Sequence, residues 1–138
     1  MPYETLDHTA DYGFIVHSDT LEGLFVESAL AMFKEMVENF EDVKPSKCID
    51  VGLEEETLED LFISWLNELL FHFEAHRMLF SKFEVKLEGE RKLKGKACGE
   101  PMDKNRHEMV IGIKSATYHQ LKIWQDEKGW HARFICDV

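Results

Sequence analysis

The feature that most constrains the fold is a wide apolar stripe between residues 58 and 73. Its apolar residues recur at three- and four-residue intervals, which is typical of one face of an α-helix. Glu54, Glu55 and Glu56 precede Thr57 at its start, where the helix dipole favours negative charge. The stripe consists of Leu58, Leu61, Phe62, Trp65, Leu66, Leu69, Leu70 and Phe73. So broad an apolar face must pack against a large apolar surface, most simply a β-sheet.

A second amphipathic helix is predicted earlier in the chain. Asp19 and Glu22 have the spacing of a capping box, and Thr20 is an alternative N-cap. Apolar residues then recur at helical spacing up to about Asn39. The start of this helix resembles the start of the other, 37 residues further on. The similarity is explained either by duplication of one strand–helix unit or by the general recurrence of capping residues.

The rest of the chain is predicted to be strands joined by short turns. Strand patterns lie at residues 3–6, 14–16, 47–53, 79–88, 92–98, 110–114, 121–125 and 130–137. Gly89 marks a hairpin turn, and residues 126–129 mark another. With 44% hydrophobic residues, the 138-residue chain can build one real core. We therefore predict an α+β fold: a single domain, residues 1–138, with two long amphipathic helices packed on antiparallel-rich β-sheet.

Composition restricts the function classes. A net charge of −11 would repel a phosphate backbone, so strong direct nucleic-acid binding is not expected. Cys48, Cys98 and Cys136 are odd in number and widely spaced, which argues against a disulfide framework and favours a reducing compartment. No charged apolar leader follows Met1, and no apolar run approaches the roughly 20 residues that a membrane helix needs. A cytoplasmic protein without a membrane partner is expected.

Two acids at the ends of predicted strands form the first candidate site. Asp11 precedes the apolar residues 14–16, and Asp137 follows the apolar residues 134–136. If these strands pair, both carboxylates would converge with the carboxylate of Val138. Oxygen ligands of this kind suit Ca²⁺ or Mg²⁺. The alternative is that Asp11 caps a turn and Asp137 lies on a frayed end.

Other polar clusters are weaker candidates. His72 and His76 are four residues apart on one helix face, which suits a metal pair or simple compensation of the helix dipole. Residues 114–119 include Lys114, Tyr118 and His119, which could bind phosphate or transfer protons, or could form an exposed strand junction. No nucleophile motif or phosphate-binding loop is present, so a conventional enzyme is not indicated.

Three segments of the sequence carry a further resemblance. The first contains His8, Thr9, Ala10, Asp11 and Gly13, followed by residues 19–22; the second contains Gly99, Glu100, Asp103, His107, Lys114 and residues 117–119; the third is Asp137 with Val138. Together they resemble the archease family, whose members assist RtcB-type RNA ligases. The resemblance covers essentially the whole chain in order. Tyr12 departs from the expected small aliphatic residue, and Val138 stands where isoleucine is expected.

The resemblance implies a protein co-factor and not a self-sufficient enzyme. Such a co-factor promotes guanylylation of the active-site histidine of a tRNA-splicing RNA ligase and so permits multiple turnover. It also implies that Asp11, Asp137 and Val138 bind a divalent metal, Ca²⁺ in the first place, with Mg²⁺ or Mn²⁺ as alternatives. His8, Lys114, Tyr118 and His119 would contact the ligase or its nucleotide.

Two other functions would leave different traces. A metal-dependent phosphoester hydrolase would use the same acids without a partner. A chaperone-like binding module would instead use an exposed apolar patch and would not depend on Asp11.

Overall fold

The computed structural model describes residues 3–7, with residues 6 and 7 as backbone alone, and residues 11–138. This part of the chain confirms the α+β prediction, since it contains two α-helices and antiparallel sheets. In chain order the elements are β1 (Tyr3–Asp7), β2 (Asp11–Ser18), α1 (Leu21–Met36), a 3₁₀ turn (Phe40–Asp42), β3 (Lys47–Glu54), α2 (Leu58–His76), β4 (Met78–Glu88), β5 (Lys92–Pro101), β6 (Ser115–Asp126) and β7 (Gly129–Asp137).

The strands form two antiparallel sheets. The first has the order β1-β2-β7-β6 and the second has the order β3-β5-β4. The centre of the first sheet therefore pairs β2 with β7, which come from opposite ends of the sequence. This pairing brings Asp11 and Asp137 to the same edge of the molecule.

The helices share one core with both sheets. Helix α1 packs on β2 and β4, while α2 packs on β6 and β3, so each helix contacts both sheets. The indole Nε1–H of Trp65 donates a hydrogen bond of 2.9 Å to the Phe25 carbonyl oxygen and links the two helices. Apolar stripes of both helices are buried, as their periodicity predicts. Neither helix within residues 3–7 and 11–138 is long and apolar enough to cross a membrane.

Both helices begin at a capping threonine. For α1 this corrects the prediction that Asp19 is the N-cap. Thr20, the alternative candidate, is the N-cap of α1, and its hydroxyl accepts from the Gly23 N–H at 2.9 Å. Thr57 caps α2 in the same way through the Asp60 N–H, at 3.1 Å. Helix α1 ends at Met36 and not near Asn39, because the chain turns extended at Val37.

The predicted strand at residues 110–114 is wrong. The backbone there bonds to the end of α1 and to β7 instead of joining a ladder of its own: the Val110 N–H donates to the Met36 carbonyl at 2.8 Å, and the Lys114 N–H donates to the Asp137 carbonyl at 2.8 Å. The side chains still alternate, with Ile113 buried and Val110 exposed. The alternation in the sequence therefore predicted correctly which side chains are buried, but it did not show that the segment lacks a strand partner.

The sequence argument against a disulfide framework is wrong for two of the three cysteines. Cys48 and Cys98 are bonded to each other, and Cys136 is free and buried. They are 50 residues apart in sequence but lie directly opposite in the β3–β5 register. The bond thus joins the edge strand of the smaller sheet to its central strand.

Strand β5 continues past its predicted end at residue 98 to Pro101 because Gly99 fits a close backbone contact. A Cβ atom at Gly99 would lie 1.8 Å from the Leu79 carbonyl oxygen, so no other residue could be accommodated there without moving β4. This extension positions Glu100 next to the connection that follows α1.

Candidate functional site

The two acids predicted to converge are direct neighbours across the centre of the larger sheet. Asp11 lies opposite Asp137 in the β2–β7 register, and Ser115 lies opposite Asp137 in the β6–β7 register. Directly opposite residues project from the same face of a sheet, about 5 Å apart at Cβ. Asp11, Asp137 and Ser115 therefore form one row of oxygen-bearing side chains, which we call the acidic row.

Buried neighbours hold this row in register. Phe14 and Phe134 are both fully buried and stack with their ring centroids 5.0 Å apart. Cys136 is buried as well, with its Sγ 4.0 Å from the Met32 Sδ on α1. Since side chains alternate along a strand, burying residues 14, 134 and 136 turns Asp11 and Asp137 to the opposite face.

Tyr12, the departure from the expected aliphatic residue, has a role of its own. Its hydroxyl donates a hydrogen bond to the Glu35 carboxylate on α1, and the Tyr3 hydroxyl donates to the other oxygen of Glu35 at 2.8 Å. Burial, followed by the neighbouring Glu35, raises the pKa of Tyr3 above its usual value. Tyr3 therefore stays a protonated donor, and the two hydrogen bonds to Glu35 fasten β1 and β2 to α1 beside Asp11.

The electrostatics of the acidic row favour a cation. Two like charges directly opposite each other on a sheet repel. No ion pair among residues 3–7 and 11–138 involves Asp11 or Asp137. The Ser115 hydroxyl lies 3.4 Å from the Asp137 Oδ2, and so long a hydrogen bond offsets the repulsion between the two carboxylates only weakly. A bound divalent ion would remove this repulsion.

The donor set fits a hard cation with an incomplete protein shell. Within the described part of the chain, no three His, Cys, Asp or Glu side chains are grouped to hold a metal. Asp11 and Asp137 supply two carboxylates, and Val138, which directly follows Asp137, packs its side chain against the core. Mg²⁺ is commonly bound by one or two carboxylates together with substrate phosphates, and Ca²⁺ accepts carboxylate, carbonyl and water oxygens. The residues present therefore fit a divalent cation.

Three of the four remaining predicted contact residues lie in β6 or directly before it. Lys114 is exposed and lines a groove with Asp137. The Tyr118 hydroxyl donates to the Asp60 Oδ1 on α2 at 2.6 Å, and this bond raises the pKa of Tyr118 to about 12. His119 is exposed in a β-bulge where the β6–β7 register shifts between residues 117 and 122. His8 lies outside the described residues.

Sequence reasoning missed Ser115 as a member of the row. It directly follows Lys114, which was singled out, but only the strand register shows that Ser115 faces Asp137. No sequence pattern of its own would have identified it.

The second segment of the resemblance forms a structural brace. Buried Glu100 accepts hydrogen bonds from Arg106, from the Lys44 N–H at 2.7 Å and from the His107 Nε2, 3.0 Å away. The His107 Nδ1 accepts from the Asp103 N–H at 2.9 Å, which leaves Nε2 as the donor toward Glu100. These residues connect the loop after β5 to the end of the α1 connection.

The helical histidine pair is not part of the row. His72 and His76 have ring centroids 5.6 Å apart, and the His72 Nε2 lies 3.3 Å from a Glu68 carboxylate oxygen. They lie at the carboxyl-terminal end of α2, where positive charge is favoured by the helix dipole.

Comparison with known proteins extends over nearly the full chain. The sequence model of the Archease protein family (MTH1598/TM1083) matches residues 3–138. The chain belongs to the archease family. Protein archease of Methanopyrus kandleri is 39% identical, with all of both chains covered. Protein archease of Thermococcus kodakarensis is also 39% identical, covering 99% of this chain and 98% of that protein.

Solved structures of archease family members share the architecture. The solution structure of protein 1598 of Methanobacterium thermoautotrophicum superimposes with a TM-score of 0.80 at 33% identity, covering 99% of both chains. The crystal structure of an archease from Thermotoga maritima, described as a possible chaperone, gives a TM-score of 0.65 at 20% identity, covering 98% of this chain and 96% of that one. The second likeness supports the fold alone.

Proposed function

We propose that this archease family member is a protein co-factor that activates an RtcB-type tRNA-splicing RNA ligase. It would promote guanylylation of the ligase's active-site histidine and so allow multiple turnover, without being an enzyme itself. The observation that carries the proposal is the direct pairing of Asp11 with Asp137 in a chain of this family. The partner is a protein, since a net charge of −11 is unfavourable for binding RNA directly.

The acidic row would hold the divalent cation. Asp11 and Asp137 would supply carboxylates, and Val138 would supply a carboxylate or carbonyl oxygen. When bound, Ca²⁺, or alternatively Mg²⁺ or Mn²⁺, would supply positive charge to neutralise a nucleotide triphosphate. The protein would contribute a fixed spacing between the two carboxylates, because the buried residues of β2 and β7 hold the two strands in register. Lys114, Tyr118 and His119, together with His8, would contact the ligase or its nucleotide.

The first prediction concerns Asp11. We expect the native protein to stimulate multiple-turnover RNA ligation by the cognate ligase in GTP and divalent metal, and Asp11→Asn to lose most of this stimulation. The substitution removes one charged ligand and relieves the repulsion with Asp137, so the free energy of unfolding should not fall. Product formed per ligase molecule is the readout, with chemical denaturation as the stability check.

Asp19→Asn is the matched control, since Asp19 is exposed beyond the other end of β2. Equal stimulation by native protein and Asp11→Asn would keep the partnership and remove the metal-binding role. Absence of stimulation by folded native protein with an active ligase would contradict the proposal. Phosphoester turnover without the ligase would favour a hydrolase, and suppression of aggregation independent of Asp11 would favour a chaperone-like module.

A further inference from the structure

Two histidines face each other at the far end of the strand pair that forms the acidic row. His17 lies directly opposite His131 in the β2–β7 register. It is six residues from Asp11 along β2, a distance of about 20 Å at about 3.3 Å per residue. Because side chains alternate along a strand and this register is continuous, both histidines project from the same face as Asp11 and Asp137. One face of the sheet therefore carries ionisable pairs at both ends of β2 and β7.

The two imidazole rings are in contact through nitrogen. The Nδ1 atoms of His17 and His131 are 2.6 Å apart, and the ring centroids are 4.8 Å apart with an angle of 75° between the planes. Two nitrogen lone pairs at this distance repel, so a proton or a metal ion must lie between them. In the protein alone, that cation is one shared proton. The contact is therefore a point where two nitrogen ligands converge.

The neighbouring Asp126 fixes the tautomer of His131. The His131 Nε2 lies 2.7 Å from the Asp126 Oδ1, and because an ionised carboxylate only accepts, Nε2 carries the hydrogen. This bond, followed by the bond from the Lys128 N–H, lowers the pKa of Asp126, which keeps the carboxylate ionised. In the neutral ring, Nδ1 then has the lone pair that faces His17. Metal-bound histidines have this arrangement, with a carboxylate on one ring nitrogen and the metal on the other.

Packing restricts the orientation of the His131 ring. This residue is only 6% exposed, and Trp124, its neighbour in the β6–β7 register, stacks on it with ring centroids 5.2 Å apart. The Lys122 Nζ lies 5.0 Å from the centre of the Trp124 ring. His17 is half-buried, and no described residue bonds to its Nε2, so Nε2 can carry the ring proton when Nδ1 acts as a ligand. One nitrogen is therefore held in place, and the other can adjust.

The donor type selects a different class of cation from the acidic row. Neutral imidazole suits Zn²⁺, Cu²⁺ and Ni²⁺, whereas carboxylate, carbonyl and water oxygens suit Ca²⁺ and Mg²⁺. Two nitrogens that bind one ion at about 2.0–2.1 Å are about 2.9 Å apart at a right angle and about 3.3 Å apart in a tetrahedral site. The Nδ1 atoms would therefore have to separate by about 0.3–0.7 Å, which rotation of the half-buried His17 side chain can provide.

We propose that His17 and His131 form a second metal site, in which both Nδ1 atoms bind a divalent transition metal such as Zn²⁺ and Asp126 positions His131. Water would complete the coordination, because no three His, Cys, Asp or Glu side chains are grouped to hold a metal among residues 3–7 and 11–138. The ion would replace the shared proton and link β2 to β7 at the end away from the acidic row. The inference does not depend on the ligase, so the protein alone is sufficient to test it.

Isothermal titration calorimetry with Zn²⁺ measures this site when excess Mg²⁺ is present to occupy the carboxylate oxygens. We expect the native protein to bind one Zn²⁺ and His17→Gln to lose most of this binding. Asp126→Ala should raise the Kd about 10- to 100-fold, the usual effect of removing a carboxylate that orients a ligating histidine. Bound Zn²⁺ should also raise the Tm of the native protein and not that of His17→Gln. His17 and Asp126 are not buried, so their replacement should leave the domain folded, unlike replacement of His131.

Matched controls remove the same residue types elsewhere. Glu127→Ala removes an exposed acid from the same turn and should leave the Kd unchanged. His72→Gln/His76→Gln removes the histidine pair on α2, whose ring centroids are 5.6 Å apart, and should also leave the Kd unchanged. Asp11→Asn should bind Zn²⁺ within about threefold of the native protein, because the acidic row offers oxygen ligands only.

The possible results separate this site from the other candidates. Absence of Zn²⁺ binding by the folded native protein, or equal binding by His17→Gln, would show that His17 and His131 share only a proton, and would overturn the inference. Loss of binding in His72→Gln/His76→Gln would assign the ion to α2, and loss in Asp11→Asn would assign it to the acidic row; either result would overturn it as well. None of these results bears on the proposed function, which stimulation of RNA ligation tests.

Discussion

Glu100 is a buried carboxylate whose charge is stabilised by three neighbours. The hydrogen bond from Arg106, with further bonds from the Lys44 N–H and His107, lowers the pKa of Glu100 from 4.5 to about 2, while burial acts in the opposite direction. A pKa lowered by folding means that the ionised form stabilises the native state. This contribution is fully present above pH 4.5 and is lost as the pH falls toward 2.

We predict that Glu100→Gln destabilises the protein at pH 7 by about 1–3 kcal/mol, since Arg106 and His107 lose a charged acceptor. The native protein should lose this advantage between pH 4.5 and 2, so the two stability curves should converge there. Urea unfolding at several pH values measures both effects. Glu90→Gln, in an exposed turn, is the control and should follow the native curve; a constant difference between Glu100→Gln and native protein down to pH 2 would contradict the assignment.

Some residues of the candidate site could be identified from the sequence, and others could not. Asp11 and Asp137 could be chosen because each follows or precedes an apolar run, and the family resemblance singled them out independently. Ser115 and Asn67 could not, because their importance comes from the strand register and from a helix side chain bonding to a strand backbone. Such contacts depend on which elements become neighbours, which a local pattern does not contain.

The edge strand β6 is attached to α2 by a side chain that takes the place of a strand. The Asn67 amide satisfies both the N–H and the carbonyl of Ala116, on the side of β6 where no other strand of the described part of the chain pairs. Unpaired edge groups are otherwise open to water or to another chain.

We predict that Asn67→Ala costs about 1–3 kcal/mol, because two polar groups of the backbone lose their partners. Amide exchange at Ala116 should accelerate more than exchange at Phe134 in the neighbouring strand. Denaturant unfolding and hydrogen exchange measure these effects. Asn105→Ala, in an exposed loop, should change neither; unchanged exchange at Ala116 in Asn67→Ala would show that the edge is protected by other contacts.

Helices were more predictable than strands for a physical reason. A helix is closed by bonds within four residues, so its apolar stripe and cap already contain most of the information. A strand depends on a partner elsewhere in the chain. Residues 110–114 alternate like a strand but bond to the end of α1 and to Asp137, while β6 begins only at Ser115.

The smaller sheet is fastened by a covalent bond as well as by pairing. The Cys48–Cys98 bridge closes a segment of 50 residues that includes all of α2. Cross-linking so distant a pair restricts the unfolded chain and stabilises the native state by about 2–4 kcal/mol. Cys136 does not exchange with this disulfide, because burial raises the pKa of its thiol above the usual value and so disfavours the reactive thiolate.

We predict that reduction lowers the melting temperature of the native protein, and that Cys48→Ser/Cys98→Ser is destabilised similarly in the absence of reductant. Reductant should cause no further loss in the double variant, which serves as the control. Thermal unfolding with and without a phosphine reductant measures this, and mass spectrometry after thiol alkylation counts the bonded cysteines. Alkylation of Cys48 and Cys98 in unreduced, unfolded protein would contradict the bridge.

The overall arrangement could be predicted as a class but not as a topology. Two amphipathic helices and many short strands specify α+β, and the family resemblance agrees. The adjacency of β2 and β7 across nearly the whole sequence is invisible to composition and periodicity, because any apolar strand would satisfy the same local pattern.

Because β2 and β7 are adjacent in the sheet but far apart in sequence, the acidic row forms only when these two strands have paired. Asp11 emerges from the ribosome long before its partner Asp137, which lies in β7 and follows all the other described strands in the sequence. During synthesis the nascent chain can form α1, α2 and the smaller sheet while β2 still lacks its central neighbour. The acidic row can therefore form only after β7 has been made and has paired with β2, so a nascent chain that still lacks β7 could not present it.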